Sequence, residues 1–208
     1  MNYNRFLTVI RKSRHYIFSL NDIFKYFPES TNRTMQNQLQ SWTNKGLLLR
    51  LKNGVYKIQF PEGGPDLPDL YIANKIYEPS YVSLETALSF YSIIPEVAAQ
   101  VISVTTRQTK LFRNKIGSFK YVSCKNDVYL GYKIINYENF KVYIAEQEKA
   151  VVDFIYFKLK YGESIDIAIE RFDKKRMKKL SWKKIFDYAK KYNNKTLKVL
   201  RCIKGKLK

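Results

Sequence analysis

The sequence is poor in the residues on which several chemistries depend. Its 208 residues include two cysteines and one histidine. Cys124 and Cys202 are too few for a disulfide framework and read as two reduced thiols. A single imidazole, His15, excludes a histidine-based zinc site and argues against a histidine-dependent triad. The eight glycines are scattered, and none gathers into a phosphate-cradling loop. Long hydrophobic runs are missing too. The longest apolar region, 84–104, is broken by Glu85, Pro95 and Glu96, so no membrane-spanning helix is expected. Arg5, Arg11, Lys12 and Arg14 interrupt the first apolar stretch, which does not read as a signal peptide. The expectation is a cytoplasmic protein without metal or organic cofactor.

Negative charge is scarce. Asp and Glu number 18 against 38 Lys and Arg, a formal net charge of +20. Such an excess points to a polyanionic partner, nucleic acid before anionic membrane, and says nothing about fold. With 45% hydrophobic and 27% charged residues, the composition is that of a folded globular chain. The charge is uneven: +8 over residues 1–58, −3 over 59–110, +4 over 111–160 and +11 over 161–208. An evenly solubilising surface would not concentrate charge at both ends.

The first 58 residues have the pattern of a winged helix-turn-helix. Tyr3, Phe6, Leu7 and Ile10 recur at the spacing of one helical face. Ser19 caps a second helix bearing Leu20, Ile23, Phe24 and Phe27, and Pro28 stops it. Ser30 or Thr31 caps a third helix with Met35, Leu39 and Trp42 on its apolar face, and Gly46 ends it. The opposite face shows Arg33, Gln36, Asn37, Gln40 and Asn44, with no acid from Ser30 to Leu51. Arginine pairs bidentately with guanine, and Asn or Gln with adenine, in the major groove. Thr34 suits a phosphate or a thymine methyl. Asn53-Gly54 between two apolar runs predicts a hairpin, the wing, with Arg50, Lys52 and Lys57 as its cations.

Residues 59–69 hold three prolines and two glycines and read as a linker. Residues 70–208 then read as a mixed α/β domain with a basic helical tail, which makes the whole chain α+β. Helix is expected over 70–77, a short strand at Tyr81-Val82, and then a helix capped by Ser83 that runs through Tyr91. Strands are expected at 101–105, 119–123 and 141–145, with a further one near 128–135. Glu146 opens a helix that is apolar on nearly all sides, so Asp153 within it needs a partner. In the tail, Trp182, Ile185, Phe186, Ala189 and Tyr192 form an inward stripe. Arg176, Lys179, Lys183 and Lys190 form one outward ridge, widened by Lys175, Lys178, Lys184 and Lys191 and bent if Ser181 restarts the helix. From Lys174 to Lys208 only Asp187 is acidic.

Three segments resemble the AbiEi antitoxins of type IV toxin–antitoxin pairs, the abortive-infection AbiE systems of phage defence. They are Tyr81-Val82-Ser83-Leu84-Glu85-Thr86-Ala87-Leu88, the strand Ile102–Thr106, and the run from Ile144 through Glu146, Glu148, Lys149 and Ala150 to Asp153. Following the winged-helix pattern and linker, they extend the resemblance over about residues 15–160. The resemblance implies a transcriptional autorepressor that reads inverted repeats cooperatively, with Arg33, Thr34, Gln36, Asn37, Gln40, Asn44, Arg50, Lys52 and Asn53 on DNA. It also implies neutralisation of a nucleotidyltransferase toxin without a stable complex, and DNA contact by a basic C-terminal patch, which suits Arg176, Lys179, Lys183, Lys184, Lys190 and Lys191. No amphipathic dimer helix stands out, so the expected free state is a monomer that assembles on DNA.

Enzyme readings are weaker. Gly117-Ser118 has no paired acid after it, which argues against a nucleotidyltransferase. Glu146 and Glu148 beside Lys149 superficially match a nuclease site, but acids at a helix start are the commoner explanation. The alternative binding reading is an RNA-binding, tRNA-shielding protein, motivated by the basic tail and 17 tyrosines.

Overall fold

The computed structural model describes residues 2–60, 64–96, 99–163, 165 and 171–207. The fold is mixed α and β and divides into two units. The first comprises residues 1–67 together with 112–117, the second 68–111 and 118–208.

The first unit runs α1 (Tyr3–Ser13), β1 (Ile17–Ser19), α2 (Leu20–Phe24), α3 (Asn32–Asn44), β2 (Leu48–Lys52) and β3 (Val55–Ile58). The three strands form an antiparallel sheet in the order β1-β3-β2. Helix α2 is shorter than its apolar spacing predicts. Ser19 and Asp22 close a capping box at its start, yet regular helix ends at Phe24. The amides of Tyr26 and Phe27 both donate to the Ile23 carbonyl, and this extra turn still delivers Phe27 to the core before Pro28. Thr31 caps α3, and its side chain accepts the Thr34 amide at 3.2 Å. At the other end Gly46 adopts φ +71°, Gly46 N–H donates to Thr43 and Leu47 N–H to Trp42. That pair of bonds is a Schellman closure, and it needs the left-handed backbone that glycine takes without strain. Phe6, Ile10, Phe18, Phe27, Met35, Leu39 and Trp42 fill one apolar core.

The second unit contains α4 (Asp69–Ile76), β4 (Ser80–Val82), α5 (Leu84–Phe90), β5 (Val101–Thr105), the first half of β6 (Lys110–Arg113), whose last two residues fall in the first unit, β7 (Ser118–Ser123), β8 (Tyr132–Tyr137), β9 (Phe140–Ala145), α6 (Gln147–Lys160), α7 (Lys174–Lys179), α8 (Trp182–Tyr192) and α9 (Asn194–Lys206). Its mixed sheet has the order β6-β7-β5-β4-β9-β8, with β5 parallel to β7 and β4 parallel to β9. The strand expected near 128–135 is displaced. A single 3₁₀ turn occupies Asn126–Val128, and β8 begins only after Gly131. Gly131 has φ +74°, and a Cβ there would lie 2.8 Å from the Tyr188 ring, so the chain bends beneath that ring before the strand can start. Helix α6 is buried along nearly its whole circumference. Leu180 is extended between α7 and α8, and the Ser181 hydroxyl caps α8 by accepting the Lys184 amide.

Candidate nucleic-acid interface

Helix α3 sorts its residues by period. Met35, Leu39 and Trp42 are buried, which leaves Arg33, Thr34, Gln36, Asn37, Gln40 and Asn44 exposed on the remaining surface. Some of these side chains are held by bonds within the helix and its cap. Gln40 Nε2 donates to Asn44 Oδ1 at 3.0 Å, and the Thr31 hydroxyl donates to the Thr34 hydroxyl at 2.9 Å. No acid stands in the first turn of α3, so nothing on that turn competes for the Arg33 guanidinium.

The β2–β3 hairpin adds a second, differently built edge. Gly54 takes φ +74° at its tip. Arg50 Nη2 donates to Asn53 Oδ1 at 2.6 Å, so these two exposed side chains act as one braced pair. Lys52 and Lys57 are half-buried. Lys52 Nζ lies 5.3 Å from the centre of the Phe112 ring. Also within this unit, Asn114 Nδ2 donates to the Leu51 carbonyl at 3.1 Å, while its Oδ1 accepts the amides of Ile116 and Gly117. Residues 112–117 therefore bring Arg113 and Lys115, both exposed, into the same unit as the hairpin. The sequence reading missed this pair. A signal was present: residues 97–126 contain six Lys and Arg and no acid.

The C-terminal ridge is divided and partly engaged. Ser181 separates Arg176 and Lys179 on α7 from Lys183, Lys184, Lys190 and Lys191 on α8. Lys184 is half-buried and binds Glu146 Oε2 at 2.6 Å, and Lys190 pairs with Asp187 at 3.0 Å. Arg176, Lys179, Lys183 and Lys191 are exposed and make no ion pair among the described residues. Glu146 is thus a structural anchor. Burial pushes its carboxyl up, but the hydrogen bonds from Lys184 and Tyr188 outweigh that and hold it below the ordinary range. Glu148 likewise accepts the Ser181 amide at 3.1 Å. Both acids are used to hold the start of α8.

Asp153 has the partners its burial demands. Lys149, four residues earlier on α6, forms an ion pair with it, both side chains being at most 1% exposed. Ser83 Oγ donates to Asp153 at 2.7 Å and Tyr81 at 3.1 Å, and Tyr192 of α8 donates from the far side. Burial, followed by the Asp153 charge, drives the phenols of Tyr81 and Tyr192 far up, so both remain neutral donors. Ser83 does not cap α5 with its side chain, because Asp153 takes its hydroxyl. Burial likewise raises the Cys124 thiol to about 11 and keeps it protonated at neutral pH. Among the described residues no group of three His, Cys, Asp or Glu gathers in a way that could hold a metal ion. No described helix is long and apolar enough to cross a membrane.

No protein-family model matches the sequence, and no curated protein matches it.

Proposed function

We propose that the chain is a sequence-specific DNA-binding protein, an AbiEi-type antitoxin that represses its own operon. In this reading residues 1–58 serve as a winged helix-turn-helix. Helix α3 enters the major groove, Arg33 reads guanine, and Gln36, Asn37 and Gln40 read adenine. Thr34, Asn44 and the Arg50–Asn53 pair fix the register, and Lys52 contacts backbone phosphate. The exposed cations of α7 and α8 that have no ion pair among the described residues, Arg176, Lys179, Lys183 and Lys191 among them, add sequence-independent affinity. The observation that carries the proposal is the exposed, acid-free Arg and amide face of α3 opposite Met35, Leu39 and Trp42. The order of helices and strands around it, with an antiparallel hairpin following α3, supports the same reading.

The antitoxin half of the proposal rests on the three resembling segments. Two of them meet in the core: Tyr81 and Ser83 from the first bind Asp153 and Lys149 from the last. The proposed toxin is a nucleotidyltransferase, neutralised without a stable complex. Mixed toxin and antitoxin should then elute separately on size-exclusion chromatography, and co-elution would contradict that mode.

The DNA-reading assignment is tested by substitution. Arg33→Ala should cost about 1–3 kcal/mol on the operator and relax the preference at one base. Lys52→Ala should weaken operator and random duplex alike. If Arg33→Ala weakens both duplexes equally, α3 does not read bases. A competition that favours tRNA over the operator duplex would replace the proposal with the RNA-shielding alternative.

A further inference from the structure

In the second unit a pocket of about 210 Å³ opens beside the start of β4. Tyr129, Tyr132 and Tyr143 line it. Their rings are braced from behind. Tyr132 stacks on the fully buried Tyr81, with centroids 4.9 Å apart and planes 13° from parallel, and Tyr143 lies 6.2 Å from Tyr132. Tyr143 is 37% exposed, so part of this aromatic surface is open to a ligand.

The polar groups of the pocket differ in their needs. Asn74 is engaged at both ends: it donates to the carbonyls of Ser80 and Tyr143 and accepts the Tyr143 amide at 2.8 Å. It braces the wall. Ser80 is only 6% exposed, and its hydroxyl is buried with no hydrogen-bond partner among the described residues. A buried hydroxyl left unpaired is costly, and Ser80, a residue of the pocket wall, relieves that cost by turning its hydroxyl to a polar group from outside. Glu78, also lining the pocket, gathers cations. Lys75 Nζ lies 2.7 Å from its carboxylate, and Arg107 Nη1 donates to its carbonyl at 3.2 Å while the guanidinium stacks over Tyr77.

These features specify a ligand with three parts. The tyrosine wall suits a planar ring. Ser80 suits a hydrogen-bonding ring edge. Lys75 offsets the Glu78 carboxylate, which leaves the exposed Arg107 guanidinium to suit an anion just outside. The volume falls below the 300–1,000 Å³ of drug-sized sites, so one ring system enters and the remainder stays at the mouth. We propose that this pocket binds a single nucleotide, its base against Tyr132 and Tyr143, its edge toward Ser80 and its phosphate toward Arg107, on the side away from the Glu78 carboxylate. The nucleotide is either a free monophosphate or an unpaired position of a nucleic-acid strand. The proposal does not depend on α3 reading DNA.

Isothermal titration calorimetry on the full chain tests it, using the four ribonucleoside monophosphates, inorganic phosphate and a single-stranded hexanucleotide. At least one monophosphate or the hexanucleotide should bind one-to-one, at least tenfold tighter than phosphate. Tyr143→Ala should weaken that binding about tenfold or more. Ser80→Ala, which removes one oxygen from the wall, should weaken it severalfold and change the ranking of bases. Affinity for the operator duplex, measured separately on the unaltered chain, separates failure here from failure of the operator reading. A hexanucleotide at least tenfold tighter than any monophosphate identifies a strand as the source, and equal affinities identify the free nucleotide. The proposal is overturned if nothing binds, if phosphate alone binds as tightly, or if both pocket variants bind like the unaltered chain.

Discussion

Helices α3 and α8 each bury an apolar stripe and turn the rest of their surface to solvent, but they fill that surface with different chemistry. On α3 one arginine stands among amides: Arg33, Gln36, Asn37, Gln40 and Asn44. On α8 Lys183, Asp187, Lys190 and Lys191 are exposed, and one of those lysines is already paired with the aspartate. Amides donate and accept in fixed patterns that match base edges, whereas ammonium groups act as point charges that favour any polyanion. The same total charge could have been placed anywhere on the surface. Under the proposed DNA-binding reading, its division into a weakly charged, hydrogen-bonding helix and a strongly charged one separates selectivity from affinity. The two cores differ in parallel. The first unit packs aromatic rings against one another, with Phe6 5.3 Å from Phe18 and 4.8 Å from Trp42 between centroids. The second is held around a buried ion pair and three hydroxyls.

The largest effect should come from breaking that buried pair. Asp153→Ala leaves the Lys149 ammonium uncompensated in the core and should cost about 3–5 kcal/mol of the second unit's stability in urea unfolding. Replacing both residues with apolar ones of similar volume should recover most of the loss, since the charge and its penalty leave together. Recovery no better than the single variant would mean that the hydroxyls, not the ion pair, organise this core. By contrast, Phe6→Ala in the first unit should lose about 3–5 kcal/mol through its cavity, with no such compensation available.

A smaller effect separates the two surfaces. Lys183→Ala combined with Lys191→Ala should reduce the salt dependence of DNA binding by about 2 in log–log slope while preserving the ratio of operator to random affinity. A change in that ratio would give α8 a part in base selection.

The smallest effect is a shared response to acid. In the first unit burial raises the Asp22 carboxyl, but hydrogen bonds from the Ser19 backbone and from Lys25 outweigh it and lower the pKa. Glu146 in the second unit is lowered on balance by Lys184 and Tyr188. For both, the folded value lies below the unfolded one. Their contribution is therefore full above the ordinary values of 3.8 and 4.5 and is lost as pH falls through the folded values. Glu146→Gln should flatten the acid limb of the second unit's stability curve alone, and Asp22→Asn that of the first unit alone.

Much of this was legible in the sequence, for identifiable reasons. Helix α3 announced itself through a three-and-four spacing with a glycine just past its end, and Gly46 closes it as expected. Asp153 in an apolar helix advertised its need for partners. Lys149, four positions away, was readable, but Tyr192 lies 39 residues on and only tertiary structure brings it there. Strand β1, at three residues, is too short to show a period. Strand β6 is mostly exposed along its length, so it has no alternation to read. Lys184 looked like one more outward lysine, because the position of Glu146 beside α8 is set by the packing of α6 and α8 and not by any local pattern. The pocket was invisible for the same reason, since Ser80, Tyr132 and Tyr143 come from three different strands.

The most direct test of the central claim compares two duplexes, the DNA just upstream of this protein's own gene and a scrambled version of it. Binding would be followed by fluorescence anisotropy at several salt concentrations. The account predicts that the upstream duplex binds about 10³-fold tighter or more, with the gap persisting as salt rises. Equal binding to both, falling steeply and identically with salt, would contradict it, because the charge would then act only as a sequence-blind attraction to phosphate.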